Sequence, residues 1–160
     1  MTTLNHANCS AFSVKNHLEP LAIAANVTQS AFCRLDEVLI TFGSLCMTYT
    51  GMLLSGEGDR VACEAVIASI KKRWKNSDQE PFIAAVLLNP QLKISTFRPH
   101  SSFSLANIHQ LFQSLFLRFF PDETQPWLFD SISEYLEGKG DFSSMEAIIH
   151  QARRASQVSN

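Results

Sequence analysis

The run from Val38 to Ser55, VLITFGSLCMTYTGMLLS, contains no charged residue, and it limits the folds open to this chain more than any other stretch. In and around it, Leu35, Val38, Leu39, Phe42, Leu45, Cys46, Tyr49, Met52 and Leu53 recur at helical steps, a spacing that gathers side chains on one side of an α-helix. A strand would alternate from residue to residue instead. The run therefore predicts a long helix, with Thr28 or Ser30 as its cap, Asp36 and Glu37 at the positive end of its dipole, and SGEGD from Ser55 as its stop. An uncharged segment of this length also approaches what a bilayer requires. Polar residues and Gly43 and Gly51 dilute it, and neither a one-sided positive flank nor aromatic belts accompany it. The expectation is a buried core helix in a chain with no membrane role.

Helical patterning continues on both sides. Leu18, Leu21, Ala22 and Ala25 fit a short helix that begins near Asn16, with Pro20 in its first turn. Cys63, Val66, Ile67, Ile70 and Trp74 form one stripe, and the basic cluster KKRWK falls at its end, where cations complement the helix dipole. In DQEPFIAAVLLNPQLK, Phe82 to Leu88 is apolar all round and Pro90 forbids the helix to continue. Further stripes follow through Leu105–Phe119, Leu128–Leu136 and Met145–Ala152. They are punctuated by Pro121, Pro126 and Gly138–Gly140, and Ser143 with Glu146 forms a capping-box spacing. No segment alternates with period two, and no Asn-Gly or Asp-Gly hairpin turn occurs. The fold class is all-α, an irregular bundle of about six or seven helices without a sheet. Residues 1–15 read as a flexible segment, 16–155 as a single helical domain, and 156–160 as a frayed tail.

Composition excludes several function classes. With 160 residues, 46% hydrophobic and 18% charged, the chain has the balance of a globular protein and far too many apolar residues to stay unfolded. Its net charge of -2 argues against a general polyanion-binding surface, so any nucleic-acid contact must be local. Twelve phenylalanines point to helices joined by large apolar rings. Cys9, Cys33, Cys46 and Cys63 lie far apart with no C-x-x-C pair, as reduced thiols of an intracellular protein would.

The sequence offers no catalytic or metal-binding constellation. His6 with Cys9 is an isolated H-x-x-C, and His17, His100, His109 and His150 have no partners at ligand spacing. Acidic pairs such as Asp36–Glu37 and Asp122–Glu123 sit at helix ends, where dipole and solubility explain them. The GMLLSGEGD stretch lacks the lysine and the preceding strand of a phosphate loop. Asn89, directly before Pro90, is placed to brace the following loop through its side chain.

The stretch KRWKNSDQEPFIAAVLLNPQLK resembles the part of hAT-family DNA transposases that ends in a pattern like A-x-x-L-D-P-R-x-K. The flanking LEPLAIAANVTQSAFCRLDEVLITFGSLCMTY and LFLRFFPDE…LFDSISEYLEGKGDF look like neighbouring parts of hAT-like elements of mushroom-forming fungi, so the resemblance covers roughly Leu18 to Ala155. Ala85, Leu88, Pro90 and Lys93 fit the pattern, whereas Asn89 stands where Asp is usual and Gln91 where Arg is usual. The resemblance implies the helical insertion domain of such an enzyme, separated from the ribonuclease-H-like core whose carboxylates bind divalent metal. A chain of this kind implies no enzyme activity of its own, no cofactor, no metal and no small-molecule substrate.

Two functions are then expected. One is a transposase fragment that assists weak, nonspecific DNA binding through Lys71, Lys72, Arg73, Lys75, Lys93 and Arg98, or assembles with its own copies or a parent transposase, in the nucleus. The other is an intracellular helical module that docks protein partners and has no nucleic-acid role.

Overall fold

The computed structural model of the chain describes residues 3–97 and 103–158. Regular structure among them is helical throughout, and the all-α expectation holds. The helices are α1 (Thr3–Thr28), α2 (Leu35–Ser55), α3 (Arg60–Asn76), α4 (Gln79–Leu88), α5 (Leu105–Phe119), α6 (Leu128–Glu137) and α7 (Met145–Val158), with tighter 3-10 turns at Lys93–Thr96 and Gly140–Phe142. They group into two compact units, Met1–Phe82 and Ile83–Asn160, where the sequence pattern leads one to expect a single domain over 16–155. The division falls inside α4, and no glycine-rich or charged linker marks it in the sequence.

In the first unit α1 begins at Thr3, well before Asn16, within the stretch expected to be flexible, and holds Pro20 in its interior rather than in its first turn. An interior proline removes one N–H from the ladder and crowds the carbonyl four residues earlier, here that of Asn16. The Tyr49 hydroxyl donates to the adjacent His17 carbonyl, so a bond from α2 supports the turn that Pro20 weakens. That support is tertiary, which is why local sequence favours a later start.

Neither Thr28 nor Ser30 caps α2. Thr28 Oγ1 donates back to the Ala24 carbonyl at 2.9 Å, and Ser30 Oγ accepts from the Phe32 N–H at 3.4 Å. The Arg34 N–H instead donates to Glu37 Oε2 at 3.1 Å, and the Arg34 guanidinium grips Asp36 with hydrogen bonds of 2.9 and 2.5 Å. Gly56, at φ 70°, closes the helix in the left-handed conformation that glycine adopts without a Cβ penalty.

The expected burial of α2 does not materialise. It packs against α1 and α3, but its buried residues are Asp36 and Tyr49, while Met47 and Leu54 are 73% and 84% exposed. Among the described residues α2 is the helix long and apolar enough, by length and composition alone, to cross a membrane. Its neighbour α3 starts at Asp59, which accepts from the Ala62 N–H at 2.9 Å as an N-cap. The stripe of α3 turns Cys63 and Ile70 inward, and Trp74 meets Phe82 edge to face at 6.0 Å.

The second unit is built on Leu87, Ile108 and Ile132, one residue each from α4, α5 and α6, with Ile83, Phe97, Leu111, Phe112, Leu128 and Leu136 packed around them. Ser104 caps α5 by accepting from the Asn107 N–H at 3.3 Å. Gly138, at φ 64°, ends α6 as the glycine-rich sequence there predicts.

Candidate functional site

Lys71, Lys72, Arg73 and Lys75 lie in the closing turns of α3, all exposed. At about 100° per residue, Lys72 and Lys75 project away from the buried Cys63–Ile70 stripe, and Lys71 and Arg73 project from its two flanks. Near the other end of this helix Arg60 and Glu64 form an ion pair at 2.8 Å. None of the four cations makes an ion pair with a carboxylate among the described residues. The cluster is a solvated positive edge beside the negative pole of the helix dipole.

Lys93 is not part of that edge. It belongs to the second unit, opens the 3-10 turn after α4, and holds a left-handed backbone at φ 47°. Its ammonium sits 5.5 Å from the centroid of the Tyr135 ring, within reach of a cation–π attraction. Tyr135 is buried, which pushes its phenol upward in pKa, and its hydroxyl has no hydrogen-bond partner among the described residues. Arg98 lies outside the described residues. The six cations singled out from sequence are therefore not one assembled surface within either unit.

The motif positions around Pro90 have a structural explanation. Asn89 Oδ1 accepts from the Gln91 N–H at 2.9 Å, and its carbonyl accepts from Leu92 and Lys93 N–H groups at 3.0 and 2.9 Å. Asn89 thus braces the turn by which the chain leaves α4. Ala85 is half-buried on that helix, Leu88 is 52% exposed, and Pro90 is exposed at the turn.

A constellation without a local sequence signal forms where α1 meets the start of α3. His17 Nε2 accepts from the Asp59 N–H at 2.9 Å, which requires the proton of the neutral ring on Nδ1. The Cys63 thiol lies 3.7 Å from the same nitrogen. This Cys–His pair is not an activated nucleophile: Cys63 is 0% exposed, burial and then the Asp59 charge push its thiol pKa upward, and Nε2 is already engaged. Gly58 packs against it so closely that a Cβ there would lie 2.9 Å from Cys63 Sγ. Beside this hub a groove of about 570 Å³ runs between α1 and α2. Pro20, Ile23 and Val27 line one wall, Ile40, Ser44 and Thr48 the other, and Asn16, His17, Glu19 and Glu57 gather at one end. His17 and Cys63 are 46 residues apart in sequence, so no motif spacing announces them.

The second unit contains one buried imidazole among its described residues. His109, 8% exposed, donates from Nε2 to the Phe129 carbonyl at 2.9 Å and stacks on the Phe129 ring at 3.9 Å. Its Nδ1 has no partner among the described residues, and the ring adjoins a hollow of about 130 Å³ lined by Gln113, Gln125 and Leu128. Among the described residues, no group of three or more His, Cys, Asp or Glu side chains is placed to hold a metal ion. No family model, curated protein or solved structure matches the chain.

Proposed function

We propose that the chain is a non-catalytic helical fragment of a hAT-like transposase whose main role is assembly, the outer face of α2 packing against a second copy of itself. The carrying observation is that face. Met47 and Leu54 stand 73% and 84% exposed, and Gly43 and Gly51 on the same helix have nothing within 4 Å of a Cβ position. Large apolar side chains alternating with glycine let a partner helix approach closely, and self-pairing along the uncharged stretch from Val38 to Ser55 leaves no buried charge uncompensated. Insertion of α2 into a bilayer is disfavoured because α3 packs on it and carries Arg60, Glu64, Lys71, Lys72, Arg73 and Lys75, which hydrocarbon excludes.

Sedimentation velocity across a wide concentration range tests this reading. A concentration-dependent dimer is expected, and Met47→Lys with Leu54→Glu should return it to monomer without loss of helical circular dichroism. A wild-type chain that stays monomeric throughout rejects assembly, and partition of the wild type into neutral vesicles favours a membrane role instead.

The solvated edge of α3 supports a weaker second activity, sequence-blind DNA binding in a nuclear setting. Binding to random-sequence duplex should be strongly salt-dependent, and neutralising Lys71, Lys72 and Arg73 should flatten the salt slope by about 0.9 for each phosphate the variant no longer neutralises. Absence of binding at low salt removes the DNA part and leaves a protein-docking module.

A further inference from the structure

The groove between α1 and α2 is a different surface from the outer face of α2, and its shape and charge describe an occupant. Because the connection between these helices is short, 29–34, they run antiparallel, with Val27 beside Ile40 at one end and Asn16 beside Met52 at the other. From Asn16 to Val27 the helical rise sets a length of about 16 Å. The far end is apolar, through Ile23, Val27 and Ile40, whereas the near end holds the carboxylates of Glu19 and Glu57. Neither glutamate makes an ion pair among the described residues.

We infer that this groove binds a single-chain amphiphile with a protonated amine head, the alkyl chain lying along Ile23, Val27 and Ile40 and the ammonium between Glu19 and Glu57. The groove of about 570 Å³ has room for an occupant of this size. An alkyl chain is thin enough to lie between the walls, and the groove's volume is in the range of small-molecule sites. Charge decides the head group, since a carboxylate or phosphate placed between two glutamates would be repelled. Ser44 and Thr48 on the α2 wall are short, which leaves the channel open between its apolar and acidic ends.

The test is calorimetric titration of the whole chain with dodecylamine, dodecanol and dodecanoate, each below its micelle-forming concentration. Saturable binding of the amine, weaker binding of the alcohol and none of the acid are expected. Glu19→Gln and Glu57→Gln should each weaken the amine about threefold and together roughly tenfold, as partly exposed ion pairs do. Ser44→Phe, at an exposed position that fills the channel, should abolish binding while leaving helical circular dichroism intact. Met47→Lys should bind as the wild type does, which separates this site from the assembly face. Equal binding of amine and acid, amine binding unchanged by Ser44→Phe, or no amine binding would each overturn the proposal. Amine binding that disappears as protein concentration rises would overturn it too, by showing that a second copy fills the groove.

Discussion

Alanine at Gly58 would place a methyl carbon 2.9 Å from Cys63 Sγ, 3.1 Å from Met52 Cβ and 3.3 Å from His17 Nε2. None of these neighbours gives way easily. Cys63 is fully buried, Met52 Cβ is fixed to the α2 backbone, and His17 Nε2 is engaged by the Asp59 N–H at 2.9 Å. Forcing a methyl group into packed surroundings costs about 1–3 kcal/mol, while loss of glycine's freedom in the unfolded chain returns up to about 1 kcal/mol. The expected net destabilisation is about 1–2 kcal/mol, a fall in Tm of about 5–15 °C for a cooperative unit of this size. Gly43→Ala is the internal control, because nothing lies within 4 Å of its Cβ position inside α2. At concentrations where the chain is monomeric it should stabilise by about 0.5–1 kcal/mol through helix propensity. Thermal melts by circular dichroism give the size of each effect, and hydrogen exchange assigns it to peptides of α1, α2 and α3. Adding Cys63→Ala to Gly58→Ala should recover part of the stability, since the sulfur nearest the new methyl group is then gone. If Gly58→Ala is as stable as the wild type while Gly43→Ala behaves as expected, the packed His17–Cys63 hub is wrong.

Other outcomes follow from the same geometry. Burial holds the Cys63 thiol and the Tyr49 phenol above their ordinary values of 9.0 and 10.0. The stability tied to their neutral forms is complete below those values and is lost as pH climbs through them toward the folded pKa values. Alkaline titration should therefore lower the Tm of the first unit progressively above about pH 9, and Cys63→Ala should flatten the first part of that loss; a pH-independent melt up to the tyrosine range would contradict it. Leu87→Ala, at a residue 0% exposed in the second core, should cost about 2–5 kcal/mol in urea unfolding. His109→Phe in that unit should cost about 0.5–1.5 kcal/mol, because the bond to the Phe129 carbonyl is lost while a ring still stacks on Phe129 and an unpartnered nitrogen is removed. Asp59→Ala should cost about 0.5–2 kcal/mol by uncapping α3, seen as faster exchange of the Ala62 amide.

Much of the helical plan is legible in the sequence because its signals are local. The stripes through Leu105–Phe119 and Leu128–Leu136, the stop at Asn89–Pro90 and the glycine cap at Gly138 each act within a turn or two, and each appears where the residues place it. Asn89 can be assigned as a brace because its side chain reaches the backbone two residues on. The early start of α1 and the interior position of Pro20 are not legible, since a bond from Tyr49 on another helix offsets the local preference of proline; the Arg34 start of α2 rests on Glu37 only three residues on, but Thr28 and Ser30 are the commoner cap types. Nor can the basic residues be sorted. Sequence proximity groups Lys71 to Lys75 correctly on one helix, but Lys93 finds an aromatic ring of its own unit.

Apolar periodicity, proline and glycine thus determined by themselves that this chain is a set of helices and where most of them stop, because a helix is held by bonds between residues four apart. Which faces of those helices meet was decided only in three dimensions. Periodicity marks a side as apolar without naming its partner. The stripe of α2 is half-buried from Val38 to Leu53, with Tyr49 fully inside, whereas Met47 and Leu54 on another side of the helix stay in solvent, and with α1 the helix opens a groove ending at Glu19 and Glu57.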